Sequence, residues 1–137
     1  MLPTTLLTNE VKDRAGVEVE FEHYSLEGRT HIYARKGGNP SLPCILKVAH
    51  QEAGSGLGAT QRSQCRVDMD VVGKSGKTVR CSAYKVVVIP KGELDDLDDV
   101  KDVSAMLDSF CSTTGAGTTV LFDGSGNGDS ALINATL

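Results

Sequence analysis

Gln64-Cys65-Arg66-Val67-Asp68-Met69-Asp70-Val71 alternates without a break: Cys65, Val67, Met69 and Val71 share one side of an extended chain, and Gln64, Arg66, Asp68 and Asp70 share the other. A period of two belongs to a strand with one apolar and one polar face. Gly73-Lys74-Ser75-Gly76 turns the chain, and Val79 to Pro90, rich in Val and Tyr, returns as a long second strand. At Pro90-Lys91-Gly92 the period changes. Leu94, Leu97, Val100, Val103, Leu107 and Phe110 recur at spacings of three and four, which predicts an amphipathic helix over 93–113. Aspartates crowd its start, where they complement the positive end of a helix dipole, and Gly115 is a natural stop.

The same alternation extends upstream. Val17, Val19 and Phe21 alternate with Glu18, Glu20 and Glu22, and Leu26-Glu27-Gly28-Arg29 turns the chain into a strand from Thr30 to Lys36. Gly37-Gly38-Asn39-Pro40 interrupts, Cys44 to Glu52 resumes as a strand, and Ala53 to Ala59 is a glycine-rich connection. The expected organisation is a single domain over 1–137: N-terminal strands or hairpin over 1–36, a central sheet over 43–90, the helix over 93–113, and a Gly-rich segment over 114–137. That last segment carries two apolar patches, Val120-Leu121-Phe122 and Ala131-Leu132-Ile133, compatible with a short helix or a terminal strand.

Strands followed by a helix make an antiparallel α+β domain. A helix of about 20 residues is about 30 Å long but only about 10 Å wide, whereas five strands spaced about 4.8 Å apart make a sheet more than about 20 Å across. One helix does not cover that apolar face. A second chain supplying its own helix does, so an obligate dimer is expected.

Charge divides the chain. Arg29 to Lys91 holds eleven bases and three acids (Glu52, Asp68 and Asp70), whereas Gly92 to Leu137 holds Lys101 against nine acids. A basic sheet with an acidic helix elsewhere suggests two faces with different partners. No stretch is long and apolar enough to span a bilayer, and the start lacks the regions of a signal peptide, so no membrane association and assembly in cytoplasm are expected. Cys44, Cys65, Cys81 and Cys111 are widely spaced, which suits buried reduced thiols. Cys65 and Cys81 flank the hairpin and could bridge.

Nothing in the sequence assembles an enzyme, a metal site or a cofactor site. Val71-Val72-Gly73-Lys74-Ser75-Gly76-Lys77-Thr78 imitates a phosphate-binding loop, but Val71 stands where the first glycine belongs and a strand follows in place of a helix. Asp123-Gly124-Ser125-Gly126-Asn127-Gly128 resembles half of a calcium loop, but its twelfth position is Asn134 and not Glu, and a glycine-rich turn explains it. His23, His31 and His50 fall on strands without ligand spacing. The polar strand faces are more suggestive. Parity groups Lys47, Ala49 and Gln51 on one strand, Arg62, Gln64 and Arg66 on the next, and Arg80, Ser82 and Tyr84 on the last. Phosphate binders, amides and an aromatic platform together suit single-stranded or looped RNA. A solvated sheet face is the plain alternative. Asp68 and Asp70 share the polar parity, and Lys85 falls on the apolar one, where a bulge would shift the register.

From Leu46-Lys47-Val48 through Gln64 to Val71, the hairpin, Cys81-Ser82-Ala83-Tyr84-Lys85-Val86-Val87-Val88-Ile89-Pro90 and the amphipathic helix to Phe110, the chain resembles coat proteins of levivirus-type single-stranded RNA bacteriophages. The resemblance covers about half of the chain by order and length of elements. It implies an N-terminal hairpin, a five-stranded antiparallel sheet and C-terminal helices, in an interlocked dimer whose helices lie over the partner's sheet. Along the helix, Leu94, Leu97, Val100, Val103, Leu107 and Phe110 would make that dimer contact. Dimers would build an icosahedral shell, the virion, assembled in the bacterial host cytoplasm, with genomic single-stranded RNA inside. An RNA stem-loop bound on the inner sheet would repress translation. That role would fall on Lys47, Ala49, Gln51, Arg62, Gln64, Arg66 and Tyr84, with Arg80 and Ser82 on the same face. The hairpin Val72, Gly73, Lys74, Ser75, Gly76 and Lys77 would serve contacts between subunits. The glycine-rich tail departs from the usual second helix and resembles a subset with an extended C-terminal strand. A small dimeric cytoplasmic RNA-binding regulator that forms no shell is the competing expectation, and an enzyme using the Gly-Lys-Thr loop or the acidic cluster is a third.

Overall fold

The computed structural model describes residues 5–6, 11–115 and 120–135. They form two compact units, one within Glu18–Leu94 together with a two-residue strand, the other within Lys12–Val17 and Asp95–Leu137. The first is a single antiparallel meander of β1 (Thr5–Leu6), β2 (Phe21–Glu27), β3 (Thr30–Arg35), β4 (Cys44–Ala53), β5 (Thr60–Val72) and β6 (Thr78–Ile89), in that spatial order. The five long strands are the expected sheet, and β1 pairing with β2 is the N-terminal hairpin at its edge.

Local chemistry sets the turns. Glu27 pairs with Thr30, so Gly28 and Arg29 form a two-residue loop, and Gly28 supplies the positive φ of 59° that such a loop needs at its first central position. Val72 pairs with Thr78, and Gly73 to Lys77 closes the hairpin through Gly73 N–H to the Lys77 carbonyl (2.8 Å). The Gly-Lys-Thr run is therefore a turn between two strands. After β6 the chain passes close against a short 3-10 turn, Gly56–Gly58: a Cβ on Gly92 would lie 2.1 Å from the Gly56 carbonyl oxygen, so only glycine fits there.

Several boundaries differ from the sequence expectation. The strand expected from Val17 begins at Phe21. The irregularity expected near Lys85 is absent: β5 and β6 pair in one continuous register with Lys85 opposite Cys65, and the bulge lies in β2 instead, between His23 and Ser25. Cys81 pairs with Met69 and Cys65 with Lys85, so the two cysteines are offset by four residues, about 13 Å along the strands. That exceeds the reach of a disulfide, and all four cysteines are free.

The second unit holds α1 (Asp98–Ser112) and α2 (Asn127–Asn134). Helix α1 starts later than expected, so Leu94 and Leu97 precede it, Leu97 as its N-cap, while Val100, Val103, Leu107 and Phe110 lie on it. The Asp96 carboxylate accepts the Asp98 N–H at 3.0 Å, a local bond that favours a turn over an earlier helical start. The tail is not an extended strand. After a single bridge between Thr113 and Val120 it forms α2, whose start packs on the end of α1, where a Cβ on Gly128 would meet the Phe110 ring at 2.9 Å. No helix among the described residues is long and apolar enough to cross a membrane.

The core of the sheet unit is small: Phe21, Tyr33 and Cys44, with Val11, Val19 and Leu46 packed around them. Phe21 is 1% exposed. Phe21→Ala should therefore lower stability by about 3–5 kcal/mol, read as a fall in the denaturation midpoint, while Val17→Ala on an exposed side chain should shift it by no more than about 0.5 kcal/mol.

Candidate nucleic-acid interface

Residues directly opposite in an antiparallel pair project to the same side, so the register assigns every strand residue to a face. Lys47 opposes Arg66, Ala49 opposes Gln64 and Gln51 opposes Arg62; across the next pair Arg66 opposes Tyr84, Asp68 opposes Ser82 and Asp70 opposes Arg80. All nine residues expected to bind RNA thus lie on one face. Continuing outward, Lys47 opposes Ile32 and Ile32 opposes Ser25, so Ser25, Ile32, Lys47, Arg66 and Tyr84 form one row across five strands. The other face carries Leu46, Val48, Cys65, Val67, Met69, Cys81 and Ala83.

Five of the nine, Lys47, Ala49, Gln64, Arg66 and Arg80, line one shallow depression of about 320 Å³ with Thr30 and Asp68. Gln51 and Arg62 lie further along the same strands, and Ser82 and Tyr84 flank it on β6. Asp68 is its structural centre. It is 5% exposed and takes Arg66 Nε on both oxygens (2.8 and 3.0 Å) and the Ser82 hydroxyl. The Ser82 hydrogen bond, above all, and the Arg66 guanidinium hold its carboxyl below the usual range against the cost of burial. Arg66 is thereby fixed with its Cζ 5.6 Å from the centre of the Tyr84 ring, a cation–π distance. Arg80 Nε pairs with Asp70 at 2.9 Å.

Glu52 lies between Arg29 (3.2 Å) and Lys91 (3.1 Å), whose hydrogen bonds lower its pKa, so all three acids of the basic stretch are engaged by bases. Lys47 and Arg62 form no ion pair with a described residue. The sequence placed Asp68 and Asp70 on this face as an electrostatic liability; what it could not display is that each accepts from an arginine two residues away or directly across. Glu22 and Glu27 also fall on this side, on β2.

The remaining motifs are absorbed locally. The Asp123 carboxylate accepts from the Ser125 N–H (2.9 Å) and hydroxyl, forming the turn that leads into α2. His31 lies edge-to-face against His23 and stacks on Tyr33, and His50 Nδ1 is 2.8 Å from the Ser63 hydroxyl. No group of three His, Cys, Asp or Glu residues among the described residues could hold a metal ion. The hairpin expected to make contacts between subunits comprises the last residue of β5, Val72, and the loop Gly73 to Lys77, most of it exposed.

No protein-family model matches the sequence, and no curated protein matches it. Solved structures do. The coat protein of bacteriophage EMS014 superposes with a TM-score of 0.71 at 11% identity, covering 100% of this chain and 99% of that one. The fold is that of a levi-like phage coat protein. The virus-like particle of Beihai levi-like virus 21 gives a TM-score of 0.62 at 10% identity over 83% of this chain and 89% of its own, and that of bacteriophage AVE019 gives 0.59 at 13% identity over 83% and 90%. The coat-protein fold extends to the C-terminal helices, beyond the point where the sequence resemblance stops.

Replacing the buried carboxylate tests the Asp68 network. Asp68→Asn should cost about 1–3 kcal/mol at neutral pH through lost charge-assisted hydrogen bonds. Because the folded-state pKa is lowered, wild type holds this stabilisation in full above the unfolded-chain value of about 3.9 and loses it as pH falls through the folded value. Denaturation midpoints of the two proteins should therefore differ at pH 7 and converge in acid; a gap that persists there would place the effect in packing.

Proposed function

We propose that the chain is a viral shell protein: it dimerises, the dimers assemble into an icosahedral capsid around single-stranded RNA, and the polar sheet face holds that RNA. The observation that carries this reading is the end-to-end match, 100% of this chain on 99% of the EMS014 coat protein. Three features of the chain support it. The apolar sheet face leaves Val67, Met69 and Val79 more than a third exposed, and α1 exposes Val103, Met106, Leu107 and Phe110. Two unpartnered apolar surfaces on one chain suit a second copy whose helix lies on the sheet, with Val100, Val103, Leu107 and Phe110 in that contact. Strand β6, twelve residues long and valine-rich, is an edge with one side of its backbone unpaired by any other strand of the sheet, a template for joining another sheet. The opposite face presents Lys47 and Arg62 without carboxylate partners, beside the fixed Arg66–Tyr84 platform, which suits phosphates and stacked bases.

On this reading the whole chain acts as one coat-protein subunit in a virion assembled in the bacterial host cytoplasm. The protein is structural, requires no cofactor or metal, and contacts no membrane. The Val72 to Lys77 hairpin meets neighbouring subunits. A stem-loop on the same polar face gives it a second role as translational repressor.

Expression alone in bacteria, followed by sedimentation and electron microscopy, should yield closed particles containing host RNA. Dimers alone in the lysate would reject the shell and favour a small RNA-binding regulator. For the RNA face, Arg66→Ala and Tyr84→Ala should each weaken single-stranded or stem-loop RNA by about 5- to 150-fold, the range for losing one base stack, while leaving the circular dichroism spectrum unchanged. Unaltered binding by both variants would move the RNA site off this face.

A further inference from the structure

The chain leaves the sheet unit for the unit that carries α1 between Leu94 and Asp95. Residues 90–94, the junction before that point, are held in two ways. Backbone bonds come first. Lys91 N–H donates to the Ile89 carbonyl (2.8 Å) and Glu93 N–H to the Pro90 carbonyl (3.1 Å), which bends the chain as it leaves β6. Gly92 N–H donates to the Ala59 carbonyl (2.9 Å), so the junction is fastened to the β4–β5 loop. The second hold is a side chain. Glu52, the last residue but one of β4, accepts from Lys91 Nζ on its Oε1 (3.1 Å), and the same oxygen lies 3.2 Å from Arg29 Nη1. One carboxylate therefore ties together the β2–β3 turn, the end of β4 and the junction.

We infer that Glu52 is an acid-sensitive latch on this junction: ionised, it holds the chain where it turns toward α1, and protonated, it lets the junction open and loosens the assembly built on α1. The part that concerns assembly rests on the shell reading above, in which α1 lies on a second copy. The surroundings of Glu52 define the switch. Arg29 faces it from the β2–β3 turn and Lys91 from the junction. On β5 its opposite residue is Gln61, and beyond that on β6 is Ile89, both uncharged. Along β4 the next residue on its side is His50, whose Nδ1 is 2.8 Å from the Ser63 hydroxyl. Glu27 faces the other side of the sheet, and the junction's own acid is Glu93. Protonating Glu52 thus removes the carboxylate between two cations and leaves them to repel each other. The hydrogen bond from Lys91, and then that from Arg29, holds its carboxyl below the usual range. The latch is therefore complete above the unfolded-chain value of about 4.3 and is lost as pH falls through the lower folded value. A single exposed pair contributes little, and salt screens it. Its leverage comes from acting next to the boundary between the two units and from being repeated in every copy of a symmetric assembly.

Hydrogen exchange at the Gly92 amide, measured on the purified protein, reads the junction directly. At pH 7, Glu52→Gln should speed that exchange by about 1.5- to 5-fold for each exposed pair lost. Asp70→Asn, which breaks the pair with Arg80 on the other face, should leave it unchanged. Salt at about 1 M should speed exchange in wild type and close the gap to Glu52→Gln. Particles of Glu52→Gln should dissociate at a lower denaturant concentration than wild type at pH 7, and the two midpoints should converge in acid, because the other carboxylates titrate in both proteins. Gly92 exchange that is unchanged in Glu52→Gln, or equally fast in Asp70→Asn, would overturn the inference. Faster exchange with equal dissociation midpoints at every pH would overturn it as well, since the junction would then hold nothing that assembly uses. Wild type that forms neither dimers nor particles would remove the shell reading itself, and Gly92 exchange would still decide whether Glu52 holds the junction.

Discussion

A one-residue slip of β5 against its neighbours would exchange the two faces of the sheet, and everything functional in the molecule depends on that slip not occurring. Cys65, Val67, Met69 and Val71 would change places with Gln64, Arg66, Asp68 and Asp70. Two sets of interactions oppose it. The ten-residue ladder to β4 and the twelve-residue ladder to β6 must shift together, because β5 is shared. The polar side adds its own lock: Asp68 meets Ser82 directly across the pair while holding Arg66, and Asp70 meets Arg80 in the same way. These charge-assisted bonds connect β5 to β6 at two places on one face, and a slipped strand would leave a buried carboxylate without partners.

The same parity explains why the chain looks half-finished by itself. Its fully buried hydrophobic core consists of a few side chains at one end of the sheet, around Phe21, Tyr33 and Cys44. The longest strands, β5 and β6, carry their apolar rows largely exposed, and so does α1. A sheet and a helix each with an uncovered apolar side, together with a long valine-rich edge strand, are liabilities in a protein that remains alone. In a subunit of a larger assembly they are the material of its contacts.

Much of this is legible in the amino-acid sequence. The strict alternation from Gln64 to Val71 and the helical spacing from Val100 to Phe110 place β5, β6 and α1, because a half-buried element writes its period into the chain. The nine candidate RNA residues follow from parity and share one face for the same reason. What the pattern misses is local. Asp96 competes for the Asp98 N–H, so α1 starts after Leu94 and Leu97 and not before them. Lys85 suggests a bulge that the continuous ladder does not contain, while the real bulge, at Tyr24, occupies a segment whose residues give no sign of it. The tail holds two apolar patches with no clear period, and packing of α2 against Phe110 decides its state. Tertiary contacts of this kind leave no mark at the spacing of nearest neighbours.

Charge on the polar face is not arranged for attraction alone. An electrostatic groove built only for affinity would present every base to solvent, yet here Asp68 and Asp70 each engage an arginine of the face. Each engaged guanidinium gives up attraction for phosphate and gains a fixed orientation; for Arg66 that orientation is over the Tyr84 ring. Lys47 and Arg62, which form no such pairs with described residues, are the ones that would supply long-range, salt-sensitive attraction on the proposed RNA reading. On the proposed RNA reading the face would separate two jobs, drawing in a polyanion with cations that form no ion pair with a described residue and presenting a rigid stacking surface with paired ones. On the proposed shell reading, that division would suit holding many different stretches of one long RNA, where uniform tight binding of the first segment encountered would hinder the rearrangement that closing a shell requires.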